Sequence, residues 1–165
     1  MKPEQRRWAA CLAALASFLG AAAGPVTDGV RGEGSTSLAG MSPRSLYLLR
    51  CSGCHRPDGQ GALSAGVPPF AGFMGPLTRD SGGRVYVTHV PGIAGSGLSD
   101  AQVADVLNYV LDDLSAEPPE GRRRFTAAEI GRLRAASVTD VVAYRRGVVA
   151  RLSRQGVTPA AYPWP

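Results

Sequence analysis

The chain has 165 residues, 44% of them hydrophobic and only 7% aromatic, with a net charge of +5. This length suggests one domain with additions, and the apolar share excludes a wholly disordered chain. So few aromatic rings argue against a nucleic-acid stacking surface, and no nucleic-acid partner is expected. The charge is divided along the chain. Residues 40–120 hold five Arg against eight Asp and Glu, whereas residues 121–165 hold nine Arg against Glu129 and Asp140. The basic tail reads either as a docking surface or as a solvated helix face.

Residues 1–24 have the three parts of a secretory signal peptide: basic Lys2, Arg6 and Arg7, an apolar run from Trp8 to Gly20, and small residues at 21–24. The apolar run is short for a membrane span. The expectation is an exported, periplasmic protein without stable membrane insertion after cleavage, and an uncleaved anchor is the alternative. Cys11 would leave with the leader, so the mature chain keeps two cysteines, Cys51 and Cys54. Residues 25–40, rich in Gly, Ser and Thr, read as a flexible linker.

Ser42-Pro43 marks a helix start, with an N-cap and then Pro at the first helical position. Leu46, Tyr47 and Leu49 supply its apolar surface. The helix leads into Cys51-Ser52-Gly53-Cys54-His55. Residues three apart share a face on a helical backbone, so both thiols can reach one edge of a planar macrocycle, with His55 placed to ligate its metal. The C-x-x-C-H pattern reads as covalent attachment of a c-type haem. Gly53 leaves room where backbone and ring come close. A zinc site would need more ligands, and a thioredoxin-like pair would need a βαβ setting. A plain disulfide would leave His55 unexplained.

After the motif the glycine-punctuated chain reads mostly as loop, and Arg84–Val90 as a short extended or helical piece. Ser99 and Gln102 form a capping box, and Leu98 and Val103 a hydrophobic staple. Val103, Val106, Leu107, Val110, Leu111 and Leu114 then give one apolar helix face, and the helix should stop before Pro118-Pro119. In the tail, Thr126 with Glu129 predicts a helix to about Ala136, and Val138-Thr139-Asp140 the start of another that ends near Gly156. The closing Tyr162-Pro163-Trp164-Pro165 either wraps back or reaches a partner.

The stretch from Tyr47 through the haem motif and Pro57-Asp58-Gly59 to Gly61 resembles that of small bacterial monohaem cytochromes c. Val67–Gly72 is similar to their haem-flanking loop, and Leu98–Val110 to their last helix. The resemblance covers roughly residues 40–115. It implies an all-α fold of a few helices around one covalently attached haem c. The domain is set at 41–117, with a helical, basic C-terminal extension over 118–165. It also implies that a loop carbonyl, here that of Pro68, accepts the proximal imidazole N–H.

The sequence departs from that family at the sixth iron ligand, where Val90 stands in place of the usual Met. Met74, between glycines, is the first candidate and His89 the second. An open site is the third reading, with His89, Arg84 and Arg79 as polar helpers. The corresponding functions are a periplasmic carrier of single electrons, serving a dehydrogenase or terminal oxidase, and a five-coordinate haem protein that binds gas or reduces peroxide. A haem subunit of a larger oxidoreductase is a further reading. No catalytic constellation is visible in the extension.

Overall fold

The computed structural model describes residues 38–116 and 122–162. The expected signal peptide, nearly all of the expected linker, Pro118-Pro119 and residues 163–165 lie outside the described residues. Among those described there are eight α-helices and no strand.

Helix α1 spans Pro43–Arg50, and the Ser42 hydroxyl caps it by accepting the Ser45 N–H at 3.1 Å. Cys51 both closes α1 and opens the single turn α2, Ser52–His55. Leu46 and Tyr47 are buried as the spacing requires, but Leu49, at the flank of that packed face, is 57% exposed. The expected loop between the motif and the last helix is largely helical. Helices α3 (Met74–Arg79), α4 (Ser81–His89) and α5 (Pro91–Ala94) follow one another with single-residue breaks. The signal hidden there was Asp80, whose side chain accepts the Gly83 N–H at 2.8 Å and caps α4. Of the two readings given above for Arg84–Val90, extended or helical, the structure takes the helical one through His89.

Helix α6, Asp100–Tyr109, opens with the predicted Ser99–Gln102 capping box. It continues as a π-helical turn over Val110–Leu114. Its Val103, Val106, Leu107, Val110 and Leu111 are all buried. Helix α7 spans Ala127–Arg134 and helix α8 Val141–Arg154, with Thr126 and Asp140 as side-chain caps. The reciprocal half of the Thr126 box is not made: the Glu129 carboxylate is drawn to Arg84 and Arg123 instead.

α1 packs across α6, α7 lies on α6 and α4, and α8 lies on α4 and α3. The core joins Tyr47, Met74, Tyr86, Val103 and Leu107 to Phe125, Ile130, Val148 and Leu152 of the tail. The two tail helices thus bury apolar side chains in the same core as the helices before them.

Polar side chains attach the start of the tail. Asn108, buried on α6, pairs with the Phe125 backbone in both directions, at 3.0 Å and 2.9 Å. Arg84 on α4 is only 1% exposed. Its guanidinium donates to both Glu129 carboxylate oxygens, at 2.8 Å and 2.7 Å, and to the carbonyls of Thr78, Arg123 and Arg124. It also lies over the Phe125 ring at 3.6 Å. So many partners are what a buried cation requires.

Candidate haem-binding site

The cysteine motif is one helical turn. The Cys54 and His55 N–H groups both donate to the Cys51 carbonyl, at 3.2 Å and 3.0 Å. The two free thiols consequently share a face, with Cys51 half-buried and Cys54 exposed. Burial first, and Cys54 second, push the Cys51 thiol above its ordinary range.

The turn after the motif is held from both sides. Arg56 takes a positive φ of 62°, a strained value for a residue with a side chain. The buried Tyr47 hydroxyl donates to its carbonyl. Tyr47 packs edge-on against Phe70, and its own pKa rises to about 12, chiefly through burial. The Gly61 N–H then donates to the His55 carbonyl at 3.0 Å.

Burial pushes the His55 pKa below its ordinary value, so the imidazole is held neutral and available to a metal. The Pro68 carbonyl faces the ring and pulls weakly the other way. His55 Nδ1 is buried and makes no hydrogen bond of ordinary geometry, so this contact falls short of a full bond. The ring stacks on Phe70 with centroids 4.4 Å apart.

These groups open onto a cavity of about 310 Å³, a size typical of cofactor sites (roughly 300–1,000 Å³). Cys51, Cys54, His55, Pro68 and Met74 all line it. The rest of the wall is mostly apolar, from Phe70, Phe73, Leu77, Val90, Ile93, Val106, Leu107 and Val110. Val90, at the position where relatives of the small cytochromes carry Met, faces the same space. Two thiols, a neutral imidazole and an apolar slot fit a haem: thiols for its vinyl groups, nitrogen for its iron and apolar walls for its ring. Among the described residues no group of three or more His, Cys, Asp or Glu could hold a bare metal ion.

Three expected helpers lie elsewhere. His89 does not line the cavity. Its Nδ1 lies 2.9 Å from the Val85 carbonyl and its Nε2 2.9 Å from the Ala136 carbonyl, so its ring joins α4 to the end of α7. Arg84 is spent on Glu129 and the tail backbone, and Arg79 is not in the wall. The sequence reading missed Tyr86, Arg145 and Tyr162, which do line the cavity. Tyr86 lies in the stretch read as extended or helical, without a part in the site, and the other two lie in the extension. Tyr162 packs back, its ring meeting Phe73 at 6.3 Å.

The sequence model of the family described as cytochrome c matches residues 44–113. Residues 44–113 belong to the cytochrome c family. The cytochrome c domain implies covalently bound haem c and a role in electron transfer. Its helical, strand-free build agrees with that family's fold. Comparison with curated proteins finds no match. No helix among the described residues is long and apolar enough to cross a membrane.

Proposed function

We propose that the chain is an exported, periplasmic monohaem cytochrome c that carries single electrons between redox partners, a dehydrogenase and a terminal oxidase among the candidate classes. Cys51 and Cys54 hold the haem, His55 is the proximal ligand, and Met74 is the sixth. The observation that carries this reading is the convergence of Cys51, Cys54, His55 and Met74 on one apolar cavity. The sequence holds a single C-x-x-C-H motif, which supports one haem. When bound, haem supplies an iron that cycles between ferric and ferrous states. The chain's residues hold and tune it. Burial keeps His55 neutral, Pro68 bears on its ring orientation, and apolar walls exclude water from the cavity. The exposed Cys54 marks an edge where a partner can approach. Small, transient contacts suit such exchange.

The test is the visible spectrum of matured protein, wild type beside Met74→Ala and His89→Ala. A low-spin ferric spectrum with the weak sulfur-to-iron band, lost only in Met74→Ala, is the expected result. A wild-type spectrum that is high-spin and indifferent to both changes would overturn Met74 ligation and favour a five-coordinate protein that binds or reduces a small ligand.

A further inference from the structure

One corner of the cavity is polar, and it is built largely by residues outside the family match. Arg145 comes from α8 and Tyr162 from the tail beyond it, and both line the cavity together with Tyr86 of α4. The Arg145 guanidinium lies 4.3 Å over the Tyr162 ring. The Tyr86 hydroxyl lies close enough to the Tyr162 and Arg145 side chains for both to bear on it electrostatically, and burial pushes the Tyr86 pKa well up, so the phenol keeps its proton. Arg145 Nε is fully buried and has no hydrogen-bond partner. Among the described residues no acidic side chain lines the cavity. The Arg145 side chain is partly buried in this corner, and its planar donor set matches a carboxylate.

The placement suits a particular carboxylate. Cys51, at the end of α1, and Cys54 and His55 of α2 enter the cavity together; α1 packs on α2 and on α6. Arg145 enters from α8, which packs on α3 and α4. A haem joined to the cysteines by its vinyl edge turns its propionate edge away from them. We propose that Arg145, with the hydroxyls of Tyr86 and Tyr162, holds a haem propionate, so that the C-terminal extension completes the haem pocket rather than merely covering it. This rests on the haem reading above.

The experiment is a redox titration against pH of matured wild type, Arg145→Leu, Arg145→Lys and Tyr162→Phe, after the covalent haem content of each has been measured. Wild type without covalent haem would sink the underlying reading and is seen before any titration. With haem in place, a propionate held by Arg145 stays ionised, and the wild-type potential is nearly flat across the neutral range. In Arg145→Leu the propionate is buried without its cation and titrates there. Its ionisation favours the ferric state, so the ferric-to-ferrous ratio at fixed potential rises several-fold as pH rises. Arg145→Lys keeps the charge and a flatter profile. Tyr162→Phe, which leaves the guanidinium in place, gives a smaller slope than Arg145→Leu. A flat profile in an Arg145→Leu protein with wild-type haem content would overturn the proposal. If Arg145→Leu does not mature, a sloping Tyr162→Phe profile supports it and a flat one overturns it. A free carboxylate is the other source of the same chemistry. If added formate or acetate shifts the wild-type spectrum, and Arg145→Leu loses that response without gaining a slope, the propionate assignment is wrong.

Discussion

Single residues around the motif show how closely the backbone is drawn in beneath His55. Gly61 has a φ of +65°, and a Cβ there would lie 2.5 Å from the Val67 carbonyl oxygen and 2.6 Å from that of Pro68. Both the left-handed conformation and the contact exclude a side chain, and the conformation alone costs about 1–2 kcal/mol. Gly61→Ala is expected to lower stability by at least that amount in urea unfolding and to reduce covalent haem yield, because Pro68 must move away from His55. Unchanged yield and stability would show that the loop yields without cost. Gly53 is different. A Cβ there meets no protein atom within 4 Å, so only the cofactor itself can make that position crowded.

At the scale of elements, polar side chains set in apolar faces join the tail to the domain. Asn108 sits on the buried face of α6 among valines and leucines, and its amide is consumed by the Phe125 backbone. Asn108→Ala leaves a buried N–H and carbonyl of Phe125 without that partner, at a cost of about 1–3 kcal/mol. Faster amide exchange at Phe125 and across α7 (Ala127–Arg134) should accompany it, while exchange in α1 stays near wild type. Uniform destabilisation with no local change would argue that the tail is not held at this point. The α3–α4 junction depends on close approach: a Cβ on Gly83 would lie 1.9 Å from the Leu77 carbonyl oxygen. A pattern of apolar spacing carries no trace of that contact, which is why the region between motif and last helix read as loop.

For the whole molecule, part of the divided charge is paired within the chain. Arg122 and Arg124 pair with Asp112, Arg134 with Asp100 and Arg151 with Asp80. These pairs are partly exposed and each is worth little, about 0–1 kcal/mol, but they dock the basic tail on the acidic domain. The Arg84–Glu129 pair is of another kind, with side chains 1% and 13% exposed. Removing one partner of such a buried pair costs roughly 3–5 kcal/mol. The Arg84 hydrogen bonds hold the Glu129 carboxyl below its ordinary value of 4.5. A carboxyl lowered in the folded state stabilises the fold above its unfolded pKa. Stability should therefore decline as pH falls below 4.5 and through the lowered folded value. Glu129→Gln should be less stable at neutral pH and decline less steeply in acid, as urea midpoints measured across pH would show. Parallel curves would mean that other carboxylates govern the acid limb.

The sequence by itself determined the haem motif, the caps at Ser42, Ser99, Thr126 and Asp140, and the apolar face of α6, because each depends on residues a few positions apart. A one-turn spacing puts two thiols on one face whatever surrounds them. Tertiary structure decided what depended on distant segments meeting. It placed Met74 in the cavity wall and turned His89 out of it toward Ala136. It spent Arg84 on Glu129 rather than on the cavity, and brought Arg145 and Tyr162 to a wall first opened nearly a hundred residues earlier in the chain. Local pattern cannot report such meetings, since a buried cation and an exposed one look alike in sequence until the fold supplies or withholds their partners.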